Sequence, residues 1–490
     1  MDEIIQLLQT NPNAAIDKLK AFALDKAEID LLMKEFNEVE RVGRTTQVGN
    51  IQKDKIIGED ASKQKVVKKV RISIPFQNKI VRTATAFEVG EAPSIIPEER
   101  NALSDEILRL WKVNRIDHVL QQAKTLQKSE LQCAISFYIK TIDSDNTFSK
   151  VLGLNKTREL KVRLLKNENG LMYPYFDAYG DMKAFVWEFT IKNGDNDEKH
   201  IWVYDDQYIY FIGPTSAGSF GFVKKEKHGF KNIPVVYLSQ KKPEWFEVQE
   251  MIDRLEVSIS KAGDANDYTG HPILKLIGDV QGAPEKDDEG KAFVLPLKYN
   301  EETEKMEHGD VDFLTYDQAP EAVKLEQDRL EKYIYSMTST PDISFDNIKG
   351  LGNVSGVALK IMFLDAMLKA KMNEGENKTI IERINNVLIS GTITTIATGL
   401  AKLADKTFFN VQFNSIIPDD LKDSVETLSK AVEGKFMSRK KAVEVWNKAD
   451  DYEDEIEQIE LESKASGPVA PGNDPSDPPV NVPPTPPATE

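Results

Sequence analysis

Apolar residues recur at helical spacing through residues 1–40 (Ile4, Leu7 and Leu8, then Leu24, Leu31 and Leu32), and Asn11-Pro12 supplies a turn between two predicted helices. Between Cys133 and Leu238 the period shortens to two. Ala134-Ile135-Ser136-Phe137-Tyr138-Ile139, Leu160 to Leu165, Ala184 to Phe189 and Ile201 to Tyr204 read as strands. Asn169-Gly170, Tyr179-Gly180 and Asn193-Gly194 punctuate them as turns between antiparallel neighbours. A β-rich unit is therefore set among helices, and the fold class is α+β.

Pro243 then stands at a plausible first helical turn. Trp245, Val248, Met251, Ile252, Leu255 and Ile259 fill an arc of about 120°, which predicts an amphipathic helix. Glu247, Glu250, Asp253 and Glu256 fall outside that arc and give the helix an acidic flank. Short strands follow at Ile273 to Ile277, Phe293 to Leu297 and Val311 to Tyr316, around the acidic loop Glu285 to Glu289, and Pro320 opens a second helix to about Thr338. This helix–β–helix unit is the most informative architectural feature of the chain. A polar, glycine-containing loop, Pro341 to Gly356, leads into a helical pattern from Val357 to about Leu403, with breaks expected at Gly375 and Gly391. Phe408 to Phe413 reads as one strand, and Ile417-Pro418-Asp419-Asp420 leads into two final helices.

Composition narrows the function. The 490 residues suggest about three globular units, and 40% apolar residues suffice to give them cores. A net charge of −17 excludes a protein that coats nucleic acid through its overall charge, which requires excess Lys and Arg. The clearly basic stretch is Gln52 to Arg82, with nine bases against three acids, read as a solvated face or as a docking surface for an acidic partner. Eight carboxylates from Asp450 to Glu462 stand without a base among them, and residues 467–490 hold nine of the 23 prolines, the composition of a disordered or polyproline-like tail. The single cysteine cannot form an internal disulfide. The acidic start MDEIIQLLQT and the interrupted apolar stretch Val387 to Ala404 predict neither export nor a membrane-spanning helix.

Enzymatic chemistry finds little support. Gly350-Leu351-Gly352-Asn353-Val354-Ser355-Gly356 fits neither the dinucleotide nor the nucleoside-triphosphate loop pattern and follows no hydrophobic strand. His118, His200, His228, His271 and His308 stand far apart, without zinc-binding spacing. Asp205-Asp206, Asp287-Asp288 and Asp450-Asp451 would serve a metal-dependent nuclease. Adjacent acids on a strand point to opposite faces, however, so these pairs are read as solvated carboxylates. Cys133 has no neighbouring histidine to activate it and is read as a small buried side chain. No catalytic residue, metal or cofactor is expected.

Four stretches, in this order, resemble the portal proteins of tailed bacteriophages, especially those of long, non-contractile-tailed phages. Asn78 to Pro93 looks like the family's helix followed by a Gly-x-Pro turn. Ile233-Pro234-Val235-Val236-Tyr237 with Glu247 to Asp267 looks like the strand that enters the first stem helix. Pro341-Asp342-Ile343 through Ser355-Gly356-Val357-Ala358-Leu359-Lys360 is similar to the tunnel loop and the start of the tunnel helix. Phe413 to Pro418, with Met437 to Ala442 and the acidic helix, resembles the C-terminal end. Gln132-Cys133-Ala134, followed by a long excursion to Gly170, departs from the glycine-rich junction and compact hairpin of the family.

The resemblance implies an N-terminal helical and β-rich α/β wing at 1–240, a first stem helix at 241–269, a small β-containing clip at 270–318 and a second stem helix at 319–340. It further implies a tunnel loop, long tunnel helix and return strand at 341–418, a helical crown at 419–463 and a proline-rich tail at 464–490. The protein would be a twelve-subunit ring at one capsid vertex of the virion, assembled in the host cytoplasm. Terminase would drive double-stranded DNA through it without sequence preference, and the genome would later leave by the same channel. Terminase large subunit, major capsid and scaffolding proteins, and head-completion or adaptor proteins are the implied partners, and no membrane is. Asn347, Lys349, Gly350, Leu351, Gly352, Asn353 and Ser355 would face DNA from the tunnel loop, and Glu247, Glu250, Asp253 and Glu256 would be acidic stem or channel residues. The alternatives are another phage head or connector protein and a metal-dependent nuclease.

Overall fold

The computed structural model describes residues 2–37, 55–57, 65–67, 69–141, 158–193, 196–215, 219–269, 273–277, 297–300, 305–308, 310–314, 320–342, 361–414, 421–446 and 452–465. The chain divides into two units, Met1–Ile416 and Ile417–Glu490.

The first unit opens with three helices, where the apolar spacing predicts two: α1 (Asp2–Thr10), α2 (Pro12–Lys20) and α3 (Lys26–Phe36). The additional start lies at Asp25, whose carboxylate accepts the Ala27 N–H and so caps α3. A hairpin of β1 (Lys55–Ile57) and β2 (Lys65–Val67) precedes α4 (Phe76–Val89), β3 (Ser94–Pro97), α5 (Ala102–Val113) and α6 (Ile116–Glu130). Asn101 caps α5 through the N–H groups of Leu103 and Ser104, and the Ser104 hydroxyl accepts the Asn101 N–H in return.

Period-two patterning yields the expected antiparallel strands. β4 (Gln132–Thr141) lies between β5 (Arg158–Leu165) and β11 (Val235–Ser239) in a three-stranded sheet. The five strands β6 (Gly170–Phe176), β7 (Met182–Asn193), β8 (Asn196–Tyr204), β9 (Tyr208–Pro214) and β10 (Phe220–Lys227) form a sheet in which sequence neighbours pair. Alternation along β7 sorts its side chains between two cores. Val186 packs with Leu8, Ile16 and Leu19 of α1 and α2, whereas Phe185 and Trp187 pack with Ala134 and Leu165 of the other sheet.

A short 3-10 turn at Phe246–Val248 delivers α7 (Gln249–Thr269), so the helix begins later than Pro243 alone suggests. β12 (Ile273–Ile277) pairs antiparallel with β15 (Asp310–Leu314), and β13 (Leu297–Asn300) pairs with β14 (Lys305–His308) between them. β12 matches its predicted span. Residues 293–296 of the predicted middle strand lie outside the described residues, and the β13–β14 hairpin lies C-terminal to them. The chain then returns along α8 (Pro320–Met337), which shares a core with α7 through Val248, Ile252, Leu255 and Ile334.

α9 (Leu364–Gly391) continues unbroken through Gly375, where a helix interior tolerates glycine at modest cost. Gly391 does mark an end. The helix widens there into a π turn at Thr392–Ile396, followed by a 3-10 stretch at Thr398–Lys406. A Cβ at Gly391 would lie 2.5 Å from Cε1 of Phe230, so glycine lets that ring close over the helix. β16 (Phe409–Gln412) pairs with β3 and closes the unit.

The second unit has three described helices where two are predicted: α10 (Leu421–Glu433), α11 (Arg439–Trp446) and α12 (Tyr452–Ala465). α10 ends in a turn at Gly434 and Lys435, the latter left-handed at φ 58°, and Ser438 accepts the Lys441 N–H to begin α11. The acidic run from Glu453 to Glu462 lies on α12, whereas Asp450 and Asp451 lie outside the described residues. The proline-rich tail from residue 467 onward also lies outside them.

Candidate functional site

The two long helices α7 and α8, with the segments attached to their ends, form the structural centre of the helix–β–helix unit. Arg254 on α7 donates from Nε and Nη2 to Glu326 of α8, at 2.9 and 2.7 Å. The extended segment before α4 lies on α7. The N–H groups of Val70, Ile72 and Ile74 donate to Asp264, Ser260 and Glu256, each at 2.9 Å, and Lys69 pairs with Asp264 at 3.3 Å. Gly263 permits this approach, since a Cβ there would stand 3.1 Å from Val70.

Two of the four acidic residues proposed from sequence are thus engaged within the protomer. Glu256 holds the 70–74 segment, and Asp253 is buried and accepts a hydrogen bond from Gln249 at 2.9 Å. Helical periodicity puts Asp253 outside the apolar arc of α7, yet it is buried. Glu247 and Glu250 are exposed. Asn347, Lys349, Gly350, Leu351, Gly352, Asn353 and Ser355 lie outside the described residues. Their N-terminal anchor is described: α8 ends in a turn whose Ser339 is left-handed at φ 53°, and the Thr338 and Thr340 hydroxyls are hydrogen-bonded at 2.8 Å.

That turn is joined to a buried ionic network absent from the sequence reading. Lys369 of α9 donates to the Thr338 carbonyl at 2.8 Å and pairs with Glu244, just ahead of α7. Glu244 also pairs with Lys128 of α6 at 3.1 Å, and Lys128 with Glu88 of α4 at 2.8 Å. Lys124 lies 3.5 Å from Glu88, whose carboxylate also accepts from Asn373 and Asn377 of α9. Burial alone would push both the Glu88 and Glu244 carboxyls up. For Glu88, Lys128 and Lys124 outweigh it; for Glu244, Lys128 and Lys369 do, and both carboxyls lie below the usual range. The signal in sequence was Lys124 and Lys128 themselves, which fall within the same helical arc as Ile116, Leu120 and Ala123, where an unpaired cation cannot be buried.

Asp205 corrects the reading of Asp205-Asp206 as solvated strand carboxylates. The pair occupies the turn between β8 and β9, and Asp205 is buried, accepting from the Gln207 and Tyr208 N–H groups and the Tyr210 hydroxyl. Such a side-chain cap fixes the turn and leaves no lone pairs converging on a metal. Asp287-Asp288, His271 and Asp451 lie outside the described residues, among which no three His, Cys, Asp or Glu side chains converge as a metal site. Cys133 is buried on β4 with its thiol 3.1 Å from the Ala123 carbonyl, and burial pushes its pKa up, the opposite of nucleophile activation. No helix among the described residues is long and apolar enough to cross a membrane. Within the predicted basic stretch, Lys69 is paired with Asp264, which reduces the charge it can offer a partner, and Lys79 donates to the Tyr335 hydroxyl at 2.8 Å.

Glu130, at the end of α6, is pushed up to about 7 by burial, opposed by the hydrogen bond from Asn167. Its ordinary value is near 4.5, so its contribution is present below that pH and is lost as pH rises toward 7, where the folded protein must hold a buried charge. Glu130→Gln keeps the acceptor for Asn167 and removes the charge. It is expected to stabilise the protein by up to about 3 kcal/mol at pH 8 and to have little effect at pH 4. Thermal unfolding at the two pH values measures this, and equal shifts at both would contradict it.

The model of the family described as phage portal protein, SPP1 Gp6-like, matches residues 22–468. The chain belongs to this portal protein family. Portal proteins are structural components of phage particles rather than enzymes. A comparison with curated proteins gives no match. Among solved structures, this portal protein is similar to a chain from the neck of an empty GTA particle computed with C6 symmetry. The two share 8% identity at a TM-score of 0.43, over 76% of this chain and 90% of that one.

Proposed function

We propose that twelve copies form a ring at one capsid vertex, through which terminase drives double-stranded DNA inward and through which the genome later leaves. The family match over residues 22–468 carries this reading. The helix–β–helix unit supports it by supplying paired stem helices, α7 and α8, joined through a clip at β12–β15. The elements before α7 are the wing, α9 the tunnel helix, and the second unit the crown. The exposed Glu247 and Glu250 and the net charge of −17 suit a wall that repels phosphate, so DNA slides rather than adheres. Asn347, Lys349, Gly350, Leu351, Gly352, Asn353 and Ser355 touch the passing duplex. Head-completion proteins and the tail dock on the outer face of the ring.

Native mass spectrometry of the purified protein is expected to show about twelve or thirteen subunits, and a strict monomer at every salt concentration would reject the ring. Lys349→Glu, and separately the pair Gly350→Val with Gly352→Val, are expected to leave rings and procapsids intact while lowering packaged DNA severalfold. Normal DNA content in both would reject the role given to the loop.

A further inference from the structure

Between β10 and β11 the chain carries His228, buried and held through both ring nitrogens. Nε2 lies 3.2 Å from the Asp205 carbonyl oxygen, and Nδ1 accepts the Phe230 N–H at 3.1 Å. A carbonyl can only accept, so Nε2 carries the proton and Nδ1 keeps its lone pair. The site therefore holds a neutral imidazole of one tautomer. A second proton, at Nδ1, would set two N–H groups face to face.

The segment fixed in this way clamps the end of α9. The Phe230 ring closes over Gly391, the Lys231 N–H donates to the Ser390 hydroxyl at 2.6 Å, and the Thr395 hydroxyl donates to the Gly229 carbonyl at 2.9 Å. These partners lie in the last turn of α9 and in the π turn that follows it. Asp205 belongs to the turn between β8 and β9, so one imidazole joins the five-stranded sheet to the clamp. Asp205 and Ser390 also line a cleft of about 630 Å³, which brings solvent to both sides of the junction.

We propose that His228 is an acid-sensitive latch: a proton taken from solvent at Nδ1 breaks the bond from the Phe230 N–H and releases residues 229–231 from the end of α9. The device lies within one protomer and does not depend on the ring reading. Burial holds the imidazole below its ordinary value of 6.5, outweighing the Asp205 carbonyl and the carboxylates of Asp205 and Asp206, which favour the charged ring. Lys227 and Lys231 flank it in sequence, and Arg383 of α9, Asp181 and Lys183 line the same cleft as Asp205. Since the folded value lies below the unfolded one, the contribution of the latch is complete above pH 6.5 and is lost as pH falls from there through the folded value.

Hydrogen exchange of the full-length protein at pH 8 and pH 5, corrected for the pH dependence of the chemical step, reads the latch directly. Residues 229–231 and 390–396 are expected to exchange at least about tenfold faster at pH 5. Residues 76–88 should keep their protection, because the Glu88 and Glu244 carboxyls titrate below 4.5. His228→Gln can donate and accept at the same two places but takes no proton, so both segments are expected to stay closed at either pH. His228→Leu can do neither, and both segments are expected to be open at either pH. An acid response retained in either variant, or equal exchange at the two pH values in the unaltered protein, would overturn the latch.

Discussion

Glu88→Ala is expected to destabilise the protein by roughly 3 kcal/mol, because it leaves the buried Lys124 ammonium with only the more distant Glu376 at 3.9 Å and Lys128 with Glu244 alone. Both lysine side chains are about 3% exposed, and Glu88 is less so, so water cannot replace the lost partner. The network also makes stability depend on pH. Both the Glu88 and Glu244 carboxyls lie below the ordinary value of 4.5, so the stability they contribute is present above that value and is lost as pH falls through their lower folded values. Thermal unfolding from pH 3 to pH 7 should show a steep acid limb in the unaltered protein and a shallower one in Glu88→Ala. A loss under 1 kcal/mol at pH 7 would mean that the network contributes little.

Trp245→Ala is expected to cost about 3–5 kcal/mol through lost burial and the cavity left behind. Trp245 is fully buried, stacks on Phe36 of α3 at 6.1 Å between ring centroids, and shares a core with Val248, Ile252, Leu255 and Ile334. It therefore ties the third N-terminal helix to the start of α7. Hydrogen exchange should accelerate in α3, in residues 249–255 and in the last turns of α8. The five-stranded sheet, packed against separate cores, should keep its protection. Uniform acceleration across the unit would show that the cores are not energetically separable.

What the sequence reveals and what it withholds divide along a physical line. Period-two alternation from Ala134 to Tyr204 made the strands legible, because each has one face turned to apolar side chains and sequence neighbours pair. In the helix–β–helix unit the helical period of its two helices and short apolar runs were the signal, and the paired spans Ile273–Ile277 and Asp310–Leu314 lie within two residues of the predicted ones. The engagement of Glu256 is not legible in the sequence because side-chain period describes one helix, whereas its partner Ile74 stands about 180 residues away in the chain. Asp205 was misplaced by its hydrophobic flanks, which resemble a continuing strand until the turn is seen. The Glu88–Lys128–Glu244–Lys369 network draws on four stretches far apart in the chain. Only Lys124 and Lys128, inside an apolar arc, betrayed it. The expectation that residues 346–355 face DNA rests on resemblance and glycine content, signals independent of packing, and those residues lie outside the described ones.

The attachment of residues 70–74 to α7 constrains spelling in an unusual way. Two residues of extended chain advance about 6.6 Å and four residues of helix about 6.0 Å, so the two rulers stay in step over three contacts and drift apart beyond them. The three hydrogen bonds from the extended side are given by backbone N–H groups, while the side chains of Val70 and Ile72 lie over Gly263 and Ile74 packs on the core shared by α7 and α8. Proline could occupy none of the three positions, having no N–H to give. A single residue inserted at 71 or 73 would turn carbonyl oxygens toward Glu256 or Asp264 and set like partial charges face to face. The interval between donors, every second residue against every fourth, is what this part of the chain must keep.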